Sequence, residues 1–143
     1  VVMSAAVADF TPAKVSTVKI KKAQAGLVIR LKPTVDILKH LGKLKRRRKR
    51  PLVLIGFALE TGSGRSAAQK LRARVSEASR KLESKNLDAV VLDTPAAMGA
   101  ERAVFHVLRA GGGAPKTIRA NKDAMAKWLV HLGTQLYSSQ NHC

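Results

Sequence analysis

Cysteine is almost absent from this chain of 143 residues: its one thiol is the terminal Cys143, so no intrachain disulfide can form and no paired thiolate ligand set exists. Aromatic residues make up only 3%, which removes the stacking platforms used by single-stranded nucleic-acid binders. No apolar run approaches the ~18 residues needed to cross a bilayer, and no basic, apolar and small-residue opening of the secretory kind is present. These absences predict a cytoplasmic protein without a membrane partner. Acid is scarce as well: nine Asp and Glu stand against 27 Lys and Arg, a net charge of +18. Such a balance predicts an anionic partner, which can be a nucleotide, a phosphorylated small molecule or nucleic acid. His40, His106 and His131 occur singly within predicted elements and His142 lies in the tail, so none is assigned a role.

What is present suffices for one domain with a core of ordinary size, since 45% of the residues are hydrophobic. Val1 to Ala8 is apolar and built of small residues, the pattern of a parallel strand buried on both faces, and Asp9 is expected at its carboxyl end. The chain opens inside that predicted strand, which predicts a fragment or a separated half. A second strand is expected from Leu27 to Leu31, stopped by Pro33. Thr34 then caps a short helix through about Leu44, with Val35, Leu38 and Leu41 on one face. The eight residues Lys43 to Arg50 carry seven positive charges, and such a self-repelling run predicts a mobile surface loop that attracts nucleic acid only non-specifically.

Leu52 to Leu59 is another near-continuous apolar run, broken by Thr61-Gly62-Ser63-Gly64. Leu71, Val75, Ala78 and Leu82 form one stripe of a helix over Ser66 to Lys85. Leu87 to Asp93 and Val104 to Leu108 read as further strands, and Asn121 caps a last helix, 121–143 with its tail, carrying Met125, Trp128, Leu129 and Leu132. Alternating strands and helices of these lengths predict an α/β, three-layer, Rossmann-like domain with a mostly parallel sheet.

Ligands of open α/β sheets bind beyond the carboxyl ends of the strands, where Asp9 is expected. If Val18 to Lys22 is extended, Lys19 and Lys21 share a face and converge on one polyanion; a solvated basic loop is the alternative. Lys81 and Lys85, four apart on the long helix, either reach an anion together or complement the negative end of the helix dipole. Phe57 either fills the core or offers a face for stacking. Gly62-Ser63-Gly64-Arg65-Ser66-Ala67 followed by Asp93 fits a dinucleotide fingerprint loosely, since Asp93 lies beyond the roughly 20-residue separation expected.

Five segments in register narrow these alternatives: Ser4 to Phe10, Lys19-Ile20-Lys21-Lys22, Pro33-Thr34-Val35-Asp36-Ile37-Leu38, Gly56-Phe57-Ala58-Leu59-Glu60-Thr61, and Arg80 through Asp88. In this order the chain resembles phosphopantothenoylcysteine synthetase, the phosphopantothenate–cysteine ligase of coenzyme A biosynthesis. In bacteria that ligase is usually the C-terminal half of a bifunctional flavoprotein. The resemblance is strong over about residues 1–93 and holds in outline beyond.

The resemblance implies that 4'-phosphopantothenate attacks CTP, that an acyl-cytidylate forms, and that the amine of cysteine displaces CMP, with Mg2+ on the phosphates. It implies Asp9 at the ribose or base, Lys19 at the phosphates and acyl intermediate as the catalytic cation, Val35, Asp36, Ile37 and Leu38 lining the nucleotide pocket, Phe57 on the base, and Lys81 and Lys85 at the triphosphate. Lys-Ile-Lys-Lys and Gly-Phe-Ala-x-Glu-Thr are the bacterial forms, which implies CTP rather than ATP. FMN belongs to the decarboxylase half, which this sequence does not contain. A homodimer, or an assembly with the N-terminal half of the ligase domain, is implied as well. Three features depart from the family pattern: the glycine-rich loop and Asn-x-Ser-Ser-Gly segment are absent, Asp93 stands where Asn is usual, and Thr94 to Arg102 is alanine-rich.

Overall fold

A computed structural model of the chain describes residues 1–20, 26–94 and 99–141. In chain order its elements are β1 (Val2–Met3), β2 (Phe10–Pro12), β3 (Leu31–Pro33), α1 (Ile37–Arg47), β4 (Ile55–Leu59), α2 (Ala67–Ser84), β5 (Ala89–Asp93), β6 (Arg102–Arg109), β7 (Lys116–Asn121) and α3 (Lys122–Asn141). They fall into two compact units, one comprising Val1–Ser4 with Leu38–Cys143 and the other Ala5–Ile37.

The larger unit holds a five-stranded sheet in the order β1-β4-β5-β6-β7. β1, β4 and β5 are parallel neighbours, while β6 runs antiparallel to both β5 and β7. Four of the five strands therefore point the same way, and β6 alone is reversed. Side chains alternate across β4 and β5, so Ile55, Ala89 and Val91 pack with Met125, Leu129, Leu132 and Leu136 of α3. On the other face Leu54, Ala58, Val90 and Leu92 pack with Ala78 and Leu82 of α2, joined by Leu38 and Leu41 of α1. The result is the three-layer α/β sandwich expected of a Rossmann-like sheet.

Local chemistry fixes the helix ends. The Ser66 hydroxyl accepts from the Gln69 N–H at 3.2 Å and the Gln69 side chain accepts from the Ser66 N–H at 3.1 Å, a reciprocal capping box that starts α2. Asn86, at φ 55°, turns the chain from α2 toward β5, a conformation that Asn tolerates better than most residues. Asn121 Oδ1 accepts from the Ala124 N–H at 2.8 Å and so caps α3 as its sequence predicts.

Three expectations are corrected. Val1 to Ala8 is not a buried strand: only Val2–Met3 pairs, with β4, and Val1 and Val2 stay 55% and 46% exposed. Among the described residues only β4 pairs with it, so its other flank has no strand neighbour. The second strand lies at Leu31–Pro33 rather than Leu27 to Leu31, held antiparallel to Phe10–Pro12 in the smaller unit. The basic run is not a loop through its first half, because Lys43 to Arg47 continue α1. Cations at a helix C-terminus favour the dipole, and the inward side of this turn is anchored by Gly42 and Lys45. Of the Lys19 to Lys22 motif, Lys19 and Ile20 lie in no strand, and Lys21 and Lys22 lie outside the described residues.

Asp88 is the one buried charged residue among those described, 5% exposed. Its Oδ1 accepts from Lys45 Nζ of α1 and from Gln140 Nε2 of α3, both at 2.7 Å, and its Oδ2 accepts from the Leu54 N–H at 2.7 Å. Gly42 is buried against the end of α2, where an added Cβ would lie 1.9 Å from the Lys85 carbonyl oxygen. Asn86 Nδ2 donates to the Gly42 carbonyl at 3.2 Å across the same contact. Far from these, His106 on β6 meets Thr117 Oγ1 at 3.0 Å, and burial, aided by the Arg74 charge, holds its imidazole below the ordinary value.

Removing the Asp88 carboxylate strands an ammonium, an amide and a backbone N–H at once. Asp88→Ala is therefore expected to cost about 3 kcal/mol, read from urea denaturation, with Asp88→Asn in between. An unchanged midpoint would show the three contacts to be dispensable. The His106 prediction concerns pH. With its folded pKa below the ordinary 6.5, the ring's contribution is complete above that value and is lost as pH falls, because the unfolded chain takes the proton first. The urea midpoint of wild type should thus drop more between pH 7.5 and 5 than that of His106→Gln.

Candidate functional site

At the carboxyl edge of the sheet, where β1, β4 and β5 end and β6 begins, lies a cavity of about 460 Å³. Its walls include Ser4, Phe57, Asp93, Glu101, Lys122 and Met125. Phe57 answers both sequence alternatives. It is half-buried, packs against the α3-side core, and presents its remaining surface to the cavity. Asp93 closes β5, paired in register with Leu59, and its Oδ1 accepts from the Thr94 N–H at 2.7 Å. The cavity thus combines an apolar wall with two carboxylates and one ammonium, a lining suited to a ligand with a flat apolar body and polar substituents.

Lys81 sits on the opposite side of the sheet, in the α2 layer, ion-paired with Glu60 immediately beyond β4. Phe57 and Lys81 therefore flank one strand end from its two faces, the place where phosphate-bearing ligands of such sheets bind. Lys85 lies elsewhere in the fold. It is the C-cap of α2, its backbone N–H donating to Lys81 and its carbonyl packed on Gly42, close to where β5 begins. Leu38 packs against Gly56: a Cβ at that glycine would come within 2.9 Å of Leu38 Cδ1. This close approach lets α1 rest on β4.

In the smaller unit the β2/β3 hairpin brings two predicted segments together. The Thr34 N–H donates to the Asp9 carbonyl at 2.9 Å, and the Thr34 hydroxyl donates to the Ala8 carbonyl at 2.6 Å. Asp9 and the segment Val35, Asp36, Ile37 consequently leave the same end of one hairpin, although 26 residues separate Ala8 from Thr34. Lys19 falls in the long connection between the two strands and is exposed. Among the described residues no three His, Cys, Asp or Glu side chains form a metal-binding group, and no helix is long and apolar enough to cross a membrane.

The sequence reading missed Ser4, Glu101 and Lys122 as parts of one cavity. Their signal was position rather than type, since each lies at or next to a strand end on the carboxyl edge. Nothing in the local pattern announces that Glu101 and Lys122 line one cavity, because the reversal of β6 is what brings the start of β6 and the end of β7 to the same edge.

With this geometry, comparison with known proteins is decisive about family. A model of the "DNA/pantothenate metabolism flavoprotein C-terminal domain" matches residues 1–136. The coenzyme A biosynthesis bifunctional protein CoaBC of Bacillus subtilis is 43% identical over 100 residues, covering 70% of this chain and 21% of that protein. A cysteine/cysteine sulfinic acid decarboxylase from an unknown prokaryotic organism is 43% identical over 93 residues, 65% of this chain and 22% of that one. The chain thus spans about a fifth of the length of these curated relatives. Among solved structures, the C-terminal domain of a CoaBC superposes with a TM-score of 0.58 at 28% identity, over 94% of this chain and 53% of that one. The likeness to a DNA/pantothenate metabolism flavoprotein from Streptococcus pneumoniae, TM-score 0.62 at 18% identity, over 92% of this chain and 58% of that one, supports the fold. By its match over nearly the whole length, the chain belongs to the DNA/pantothenate metabolism flavoprotein C-terminal domain family.

Proposed function

We propose that this chain carries the nucleotide-handling part of a CTP-dependent phosphopantothenate–cysteine ligase of coenzyme A biosynthesis, acting in the cytoplasm and incomplete by itself. The observation that carries the reading is the hairpin clasp joining Asp9 to the segment Val35, Asp36, Ile37, two distant motifs of the family brought to one end of a two-stranded ribbon. The cavity lined by Phe57 and Asp93 at the carboxyl edge supports it.

In this reading a carboxylate oxygen of 4'-phosphopantothenate attacks the α-phosphorus of CTP, and the bond to the β-phosphate oxygen breaks to release pyrophosphate. The amine of cysteine then attacks the acyl carbon, CMP leaves, and the amine loses a proton to give the amide. Negative charge grows on the phosphates in the first step, so fixed cations there lower the barrier more than they tighten substrate binding. Lys19 is assigned to the α-phosphate and acyl intermediate and Lys81 to the β- and γ-phosphates; Lys85, beside the start of β5, is left out of that group. Glu60 keeps Lys81 extended toward the strand end until the triphosphate competes for it. In the larger unit Phe57 is given to the base, and in the smaller unit Asp9 with Val35 to Ile37 is given to the ribose by family motif alone. Glu101 is an oxygen donor of the type Mg2+ takes, a carboxylate beside substrate phosphates. When bound, that ion neutralises the triphosphate. The basic run from Lys43 to Arg50 attracts nucleic acid only as a non-specific polyanion.

Two measurements test the proposal. Lys19→Gln should weaken CTP binding by calorimetry, and CTP should bind more tightly than ATP; equal affinities for the two nucleotides, or an unaffected variant, would sink the assignment. Pyrophosphate release from CTP and phosphopantothenate should be negligible for the chain alone and should appear when the preceding part of the ligase domain is added. In that reconstituted enzyme Asp93→Asn should release pyrophosphate faster, since a carboxylate near the triphosphate opposes the charge that develops. A slower variant would instead give Asp93 a role of its own at the metal.

A further inference from the structure

The cavity at the carboxyl edge of the sheet has a smaller counterpart at the amino edge. Where α2 ends, β5 begins and β6 ends, a pocket of about 230 Å³ opens between the helix and the turn that leads to β7. Leu82, Leu87 and Leu108, all buried, give it an apolar floor. The turn beside it is braced: Arg109 pairs in register with Ala89, and the Ala110 N–H donates to the Asp88 carbonyl at 2.8 Å. Sites for drug-sized ligands occupy about 300–1,000 Å³, so this one has room for a small molecule only.

Two opposite charges border that floor. Glu83 of α2 and Arg109 of β6 both line the pocket and are both exposed, yet neither side chain forms an ion pair or hydrogen bond with any described residue. In a chain with 27 cations and nine acids, a carboxylate left without a cation is the exception. Arg80, three residues before Glu83 on the same helix, is held by Glu77 instead. The remaining wall is Gly111, Gly112 and Gly113, at φ 91°, 83° and 102°, a left-handed run that residues with a Cβ rarely adopt. A Cβ on any of the three would meet nothing within 4 Å, so this wall is bare backbone that a ligand can approach closely.

We propose that this pocket binds a small zwitterion, an α-amino acid with an aliphatic side chain. Arg109 takes the carboxylate, its guanidinium fork matching two oxygens, and the glycine turn adds main-chain donors. Glu83 takes the ammonium, and the three leucines take the side chain. The unpaired acid decides the class of ligand. A net charge of +18 draws anions to the whole surface, and an arginine beside glycine amides alone would accept phosphate as readily as carboxylate. A carboxylate on the opposite wall repels a dianion and attracts a positive end, which turns general attraction into selectivity. The pocket lies where β5 starts, whereas Phe57 and Asp93 line the cavity at the other ends of the strands, so a ligand here does not compete with one there. The inference therefore stands apart from the ligase reading. Because the ligand bridges α2 to the end of β6, its binding stabilises the folded chain by mass action.

The test uses the whole chain, isotope-labelled for NMR, with L-leucine as the probe. Saturable shifts are expected at the amides of Arg109 and Gly111 to Gly113, together with a raised melting temperature. Isocaproate, which lacks the ammonium, and isoamylamine, which lacks the carboxylate, should each bind at least tenfold more weakly than L-leucine. Arg109→Gln and Glu83→Gln should each weaken L-leucine at least tenfold while leaving the melting temperature of the unliganded chain unchanged, since both side chains are exposed. Glu83→Gln should also abolish the preference for L-leucine over isocaproate, a change that a mere loss of packing would not produce. Absence of saturable shifts, equal binding of isocaproate by the wild type, or variants that bind L-leucine as well as the wild type would overturn the proposal. So would inorganic phosphate that displaces L-leucine at comparable concentration, which makes the pocket a general anion site.

Discussion

The larger unit depends on one carboxylate. Asp88 is buried at the amino-terminal side of the sheet and binds, through its two oxygens, the outermost helical turn of α1, the approach to β4 and the last turn of α3. Those three elements belong to all three layers, so a single side chain fixes the separation of both helical layers from the sheet. A buried charge is costly unless its hydrogen-bonding capacity is met, and here Lys45 supplies the countercharge while an amide and a backbone N–H fill the remaining sites. The position is conspicuous in a chain so poor in acid. With 27 cations and nine acids, most positive charges find no acid to pair with and stay in water, and one of the few carboxylates is committed to the interior.

Locating the polar anchor at the amino-terminal side has a consequence for the opposite edge. The carboxyl ends of the strands need no buried ionic contact to hold them, and the groups there remain available to a ligand: Phe57 and Asp93 toward the α3 side, and the Lys81–Glu60 pair toward the α2 side. The division follows from the period-two alternation of β4. Ile55 and Phe57 point to one layer and Leu54 and Ala58 to the other. A ligand that engages both Phe57 and Lys81 must therefore cross the end of β4. An elongated molecule with a ring at one end and phosphates at the other has that shape.

What could be read from the sequence divides along a physical line. Helix α2 was legible from end to end, because its stripe from Leu71 to Leu82 is a local signal that refers to the helix itself; the capping box at Ser66 is added by the structure. Asn121 at the start of α3 is likewise a local signal. The basic run misled for the opposite reason. Its charge pattern describes the solvent side of α1, while the determinant of its helicity is Gly42 and Lys45 on the inner side, packed on Lys85 and paired with Asp88, residues more than forty positions away. Among candidate site residues, Asp9 and Val35 to Ile37 were identified by motif, yet nothing in their spacing indicates that Thr34 clasps the two together.

Val1 to Ala8 is the most informative discrepancy, because its apolar pattern reads as a doubly buried strand while only Val2 and Met3 pair. Hydrophobic periodicity records the surroundings in which a segment was selected, whereas a strand forms only when hydrogen-bonding neighbours lie on its flanks. β4 pairs with Val2 and Met3 and no described strand pairs on the far side. At the opposite edge β7, whose pattern includes Lys116 and Arg119, is formed along its whole length with one neighbour. The two edge strands thus have the same number of partners and opposite outcomes. The difference tracks their chemistry: β7 carries Lys116 and Arg119, and no side chain from Val1 to Ala8 is charged.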